Sequence, residues 1–214
     1  MRTRNRNTYL LLALALCTPQ GLFAQSGTTV GVVAGVTSSR QIWGGSGASA
    51  AAEGILLGVY VRVPTPLPHL AARAEMSYAQ RGGLLSEREL QAEQPLSARV
   101  RAHYLSFPVH LETSWELGPV RLFAFGGPTL EITQQTSADP SVIQVMGVER
   151  ISLLGVGYGA GFGGPLPGGL EGSLEVRGLE GISEAYDEGP VSIRNRSFEF
   201  LLRVGFPFGL GAPG

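Results

Sequence analysis

Cysteine is nearly absent from this chain: of 214 residues one is cysteine, Cys17. It falls in the apolar segment near the N-terminus, so the exported product should carry none. That excludes disulfides, thiol catalysis and cysteine-based zinc sites. Net charge is also lacking. With 16 basic against 17 acidic residues the formal charge is −1, which provides no basic surface of the kind nucleic-acid binding needs. Long apolar runs are missing too. Beyond the first segment none approaches the roughly 18 residues of a membrane-spanning helix, so any crossing of a bilayer has to be made by a closed barrel.

The N-terminus reads as an export signal. Arg2, Arg4 and Arg6 precede the run Tyr9 to Leu16, followed by Pro19, Gly21 and the small residue Ala24. A basic start, a short apolar core and a small residue near the cut are the parts of a secretory signal peptide. Residues 1–24 are therefore expected to be the signal peptide and 25–214 the mature barrel domain. Leu16 is bulkier than the residue lipoprotein signals place before their cysteine, so no lipid anchor on Cys17 is expected.

What the chain has in abundance is alternation. Segments 28–37, 53–63, 69–80, 99–113, 119–133, 150–163, 169–179 and 197–208 each interleave apolar with polar residues. In the last, Phe198, Phe200, Leu202, Val204, Phe206 and Phe208 share one face, with Glu199, Arg203 and Gly205 on the other. Side chains on a strand point alternately to its two faces, so each segment has one apolar and one polar side. The joints alternate as well. Short turns rich in proline and glycine, such as Pro64-Thr65-Pro66-Leu67-Pro68 and Gly164-Pro165-Leu166-Pro167-Gly168, alternate with connections of around 15 residues at about 38–52, 82–98, 134–149 and 180–196. An even number of strands with loops of alternating length predicts an all-β fold, an eight-stranded antiparallel up-and-down transmembrane β-barrel. Its place is the bacterial outer membrane, with both termini and the short turns on the periplasmic side.

Local departures from the pattern carry further expectations. Pro108 removes a ladder hydrogen bond and points to a bulge or kink. The run Gly155-Val156-Gly157-Tyr158-Gly159-Ala160-Gly161-Phe162-Gly163 has a period of two and is followed by Pro165 and Pro167. It is therefore a strand whose inner face is kept small for neighbouring side chains, not a phosphate loop. Tyr78, Tyr104, Trp115, Tyr158, Phe206 and Phe208 are expected in the aromatic girdles at the two membrane interfaces.

With the polar face inward, the lumen collects Arg62, Arg73, Glu75, Glu112, Arg121, Glu131, Glu171, Glu175, Arg177, Glu199 and Arg203. Six acids nearly balance five bases, and buried charges persist only when paired, so the expectation is a structural salt-bridge network filling a narrow barrel. Glu171 and Glu175 have the types of a glycosidase pair, but Arg177 follows in the same row, which favours ion pairing. His69, His103 and His110 lack metal-site spacing, and no GxSxG element is present. No catalytic, cofactor or metal site is expected, and no enzyme activity.

Several segments resemble the PorT-like outer-membrane β-barrel family. They are Gly31-Val32-Val33-Ala34-Gly35, Ala74 to Gly83, Tyr104-Leu105-Ser106-Phe107-Pro108-Val109, Phe125-Gly126-Gly127-Pro128 and the glycine-alternating strand. The resemblance implies an eight-stranded barrel and supplies no catalytic residues. The ending departs from the family pattern, because Gly209 to Gly214 follow the terminal aromatic Phe208. The functional expectation is a small integral outer-membrane protein with a structural, adhesive or assembly role carried by its extracellular loops. Its expected partners are outer-membrane lipid, the barrel-assembly machinery and an extracellular partner met through the loops, with no nucleic acid, and its expected state is a monomer. The alternatives are a soluble lipocalin-like barrel holding an apolar ligand and a narrow solute channel. A lipocalin would need its apolar face inside, the reverse of the pattern here.

Overall fold

The computed structural model describes residues 27–43, 47–85, 98–137, 148–149, 151–187 and 193–208. Eight long strands form the barrel: β1 Thr28–Trp43, β2 Ala50–Pro64, β3 Leu70–Leu85, β4 Ala98–Leu117, β5 Val120–Ser137, β6 Ser152–Leu166, β7 Leu170–Gly181 and β8 Ile193–Phe208. Each pairs antiparallel with its sequence neighbours, and β8 pairs with β1 from Thr28↔Phe208 to Trp43↔Ile193. The closure leaves no free edge among these strands, as a sheet in hydrocarbon requires, because an unpaired backbone group there has no water to bond. The export signal expected at 1–24 lies outside the described residues.

Three tight connections mark one end. Thr65–His69 joins β2 to β3, with Thr65 donating its backbone N–H to Leu70 at 3.0 Å. Gly118 turns β4 into β5 at φ +64°, and a 3-10 turn, Pro167–Gly169, joins β6 to β7 with Gly168 and Gly169 at φ +79° and +75°. These left-handed conformations cost glycine nothing and other residues a good deal.

The two faces separate as the alternation requires. Val32, Leu57, Met76, Val109, Leu122, Phe162, Leu174 and Leu202, one from each strand, are 40–58 % exposed on the outer wall. An apolar surface running round the whole molecule far exceeds the few hundred Å² a soluble monomer shows. It is a lipid-facing belt. Inside, Val33, Leu56, Tyr60, Ala79 and Leu201 form one apolar cluster, and most of the remaining lumen is polar.

The strands run past their expected limits, mostly at the end away from the tight turns. β1 reaches Trp43, β3 reaches Leu85 and β8 begins at Ile193. Pro108 does not shift the register. Phe107↔Leu130, Pro108↔Thr129 and Leu111↔Gly126 are in step, and the irregularity in the β4–β5 ladder falls at His103/Tyr104. The ladders are interrupted beside Pro108 on both sides, to β3 between Ala74↔Val109 and Ser77↔Ser106 and to β5 between Pro108↔Thr129 and Leu111↔Gly126, with the same register before and after each gap. Tyr104 is a second correction. It is buried in the lumen, where Asn195 donates to its hydroxyl at 2.9 Å, and it is not a girdle residue. Its even position puts it with Ser106, His110 and Glu112, opposite the outward Leu105 and Phe107. Trp115, Tyr158, Phe206 and Phe208 do face outward and are exposed.

Candidate functional site: a ladder of charges through the lumen

Strands β2, β3, β4, β5, β7 and β8 each send charged side chains inward, and their meeting is the main chemical feature of the interior. All sixteen basic residues of the chain are arginine. A guanidinium has five donors in a flat fork and can serve two carboxylates at once, which a lysine ammonium does less well.

The pairs link into one alternating chain. Near the tight-turn end Arg62 donates Nε to Glu112 at 2.7 Å, and Arg73 takes the other oxygen of Glu112 at 2.8 Å. Arg73 also lies 3.2 Å from Glu175. Arg203 then bridges Glu175 at 2.8 Å and Glu75 at 2.6 Å. Arg177 bridges Glu75 at 3.1 Å and Glu199 at 2.5 Å. Arg81 closes the series by donating to Glu199 at 2.7 Å and to Glu131. Five arginines thus alternate with five glutamates from one end of the lumen toward the other. Apart from Arg62, the side chains of this chain are nearly all buried.

Each sequence-predicted residue falls on the inner face, and nine of the eleven enter this chain. Arg121 and Glu171 stand apart at the tight-turn end, 3.8 Å from each other and partly exposed, with Thr29 3.5 Å from Glu171. Arg81 is the member that reading the sequence missed. It lies one residue past the expected end of its strand, although it keeps step with Arg73, Glu75 and Ser77. With Arg81 included, six arginines face six glutamates.

The spaces between charges are filled by rings and by missing side chains. The guanidinium of Arg73 lies 4.2 Å from the centre of the Phe125 ring, and that of Arg203 lies 4.9 Å from the centre of Tyr60. Phe123 and Phe125 pack over the inner face of β6. A methyl at Gly161 would lie 2.5 Å from Phe123, and one at Gly159 would lie 2.6 Å from Phe125. At Gly157 it would meet His110, whose ring sits 4.9 Å from that of Phe125. Glycine at every second position of β6 is what lets three large side chains occupy the bore.

The histidines are dispersed. His69 is in a tight turn, His103 is hydrogen-bonded to Tyr78 on the outer side of the wall, and His110 is inside. Among the described residues no group of three or more histidine, cysteine, aspartate or glutamate side chains is placed to hold a metal ion. Glu171 and Glu175 each face arginines of other strands, Arg121 for the first and Arg203 and Arg73 for the second, while Arg177 of their own row pairs with Glu75 and Glu199.

A family model and one solved structure agree with this architecture. Residues 22–185 match the model of a family described as outer membrane protein beta-barrel domain. Among solved structures, Neisserial surface protein A superposes with a TM-score of 0.50 at 12 % identity, over 83 % of this chain and 97 % of that one. Ail, the attachment invasion locus protein of Yersinia pestis, has a TM-score of 0.42 at 13 % identity, over 85 % of this chain and 100 % of its own. AlkL, an outer membrane protein solved in lipid bilayers, has 0.42 at 11 %, over 89 % and 94 %. A search of curated protein sequences gives no match.

Proposed function

Because the chain belongs to the outer membrane protein beta-barrel domain family, we propose that it serves as a closed, lipid-embedded scaffold whose role, structural or adhesive, is exercised by the long connections at one end. The protein is a small integral β-barrel of the bacterial outer membrane, with an apolar belt outside and charges inside. That arrangement is the reverse of a lipocalin. The observation that carries the rest is the ion-pair chain. Arginines and glutamates from five of the eight strands meet at 2.5–3.2 Å across the bore, and Glu131 of a sixth pairs with Arg81, which favours a filled lumen over a solute path. An eight-stranded barrel has an interior only wide enough for such side chains or one small ligand.

On this reading the charged residues of the lumen are structural and the chain is not an enzyme. No catalytic group and no cofactor is assigned to it. The finer affiliation we favour is PorT-like, on the short segments that resemble that family. Residues 1–24 would be removed on export, and the mature chain 25–214 would be inserted as a monomer by the barrel-assembly machinery. The short turns would face the periplasm and the four longer connections the outside, where they would meet an extracellular partner.

The test exchanges those four connections for short glycine-serine turns in cells producing the full chain. Heat-modifiable gel mobility, the mark of a folded barrel, is expected to persist, while attachment of the cells to surfaces or to other cells is lost. Unchanged attachment would remove the adhesive role, and loss of the folded band would show that the connections serve the barrel itself.

A further inference from the structure

The outer wall formed by β6, β7, β8 and β1 carries a feature that the lumen does not explain. Its residues lie in register rows: Val156↔Glu180↔Arg196↔Arg40, then Tyr158↔Gly178↔Phe198↔Ser38, then Ala160↔Val176↔Phe200↔Val36, then Phe162↔Leu174↔Leu202↔Ala34. The lower rows are wholly apolar and belong to the lipid belt. They contain a furrow of about 620 Å³ along β7, between Phe162 on one side and Phe200 and Leu202 on the other. Above it, between Tyr158, Gly178 and Phe198, opens a second cleft of about 270 Å³ bordered by Arg40 and Arg196. Gly178 has no side chain, and the Tyr158 ring lies over it.

The height of this cleft matters. From Phe208 to Phe198 the outward residues of β8 are apolar, a path of roughly 33 Å at about 3.3 Å per residue. A strand tilted by about 40° turns that path into roughly 25 Å of bilayer normal, the height of the apolar band of such barrels. Arg196, the next outward residue, therefore stands at the upper edge of the hydrocarbon.

Its surroundings are unbalanced. Arg40 and Arg196 are direct cross-strand partners, both exposed on the same face, and like charges set opposite each other destabilise a sheet. Arg194 follows Arg196 outward on the same strand and is also exposed. Glu180 holds Arg196 at 2.7 Å, while Arg40 and Arg194 have no ion pair among the described residues. Glu53, on the next strand β2, is exposed opposite Ser38. An anion in the cleft would lie between the guanidiniums of Arg40 and Arg196, with Arg194 two residues further along β8, and an acyl chain below it would follow the furrow.

We propose that this wall binds a phosphorylated lipid of the leaflet at the loop end, its phosphate held by Arg40 and Arg196 and one acyl chain lying in the furrow of β7. The proposal rests on placement in the membrane and not on the role given to the connections, so either can fail alone.

The full mature chain, folded into phosphatidylcholine nanodiscs doped with a few mole per cent of lipid A, provides the test, with retained lipid counted by native mass spectrometry. Preference for lipid A over its dephosphorylated form is expected, falling about fivefold for each arginine removed, in line with the contribution of one basic side chain at an anionic membrane surface. The variants Arg40→Ser and Arg196→Ser carry that expectation. Arg101→Ser, on β4 across the barrel, should leave the preference unchanged, and the heat-modifiable band certifies folding of each. No preference in the unaltered protein, or a preference that survives Arg40→Ser combined with Arg196→Ser, would overturn the proposal. So would full displacement by an equal concentration of inorganic phosphate, which would identify a site for the free anion.

Discussion

Arg177 and Glu75 stand on opposite walls of the barrel, on strands four places apart in a closed ring of eight, and their side chains meet at 3.1 Å. Arg73 and Glu175 repeat the crossing between the same two strands at 3.2 Å. The bore is thus bridged from wall to wall at more than one level, and each bridging group also serves a second partner. Charges removed from water need such partners, because the loss of hydration is repaid only by close, well-aligned opposite charges and hydrogen bonds.

Removing one member should therefore cost far more than removing an exposed pair. Arg177→Ala leaves Glu75 and Glu199 short of a partner and should lower stability by about 3–5 kcal/mol. Arg121→Ala, which loosens only the partly exposed contact to Glu171, should cost about 1 kcal/mol or less. Urea unfolding in lipid vesicles measures both, and equal costs would mean that the ladder is hydrated.

Adjacent residues on β8 should respond in opposite ways. Leu202 faces lipid and Leu201 lies in the cluster with Val33, Leu56, Tyr60 and Ala79. Leu202→Arg should destabilise the inserted state by about 2–4 kcal/mol if it lies near the bilayer midplane. Leu201→Ala should cost about 2–5 kcal/mol through the cavity it leaves, while Leu202→Ala leaves no cavity. The same vesicle assay distinguishes them, and equal costs of alanine at 201 and 202 would refute the facing.

The glycine row on β6 gives a test of packing. Gly157→Ala places a methyl 2.7 Å from His110 Nε2 and 3.3 Å from Thr129 Oγ1, and overpacking of this kind costs about 1–3 kcal/mol. Because the obstructing atoms are side chains, His110→Ala should recover part of the loss, a coupling that a double-mutant cycle reads directly. Strict additivity would show that the backbone, and not His110, sets the limit.

The number of strands, their facing and eleven of the twelve paired charges were legible because the bilayer imposes a period of two on every strand that crosses it. The limits of the strands were not. Above the hydrocarbon both faces meet water or polar neighbours, so alternation fades while backbone pairing goes on. β3 continues through Arg81 to Leu85 with no apolar signal to mark it, and that is why Arg81 escaped notice. Tyr104 was misplaced for a related reason. An aromatic near a strand end suits a girdle by type, and only its parity with Ser106 and Glu112 shows that it points inward. Pro108 suggested a bulge from chemistry alone, yet the register is kept on both sides of it. How Arg62, Arg73, Arg81, Arg177 and Arg203 choose among the glutamates depends on which walls face one another, which no local pattern states.

Conductance in planar bilayers tests the closed lumen most directly. The purified, unaltered protein should give no steady current at any moderate voltage, since the ladder from Arg62 to Glu131 fills the bore. Reproducible single-channel steps from that same protein would contradict it and show that the charges line a path instead of blocking one.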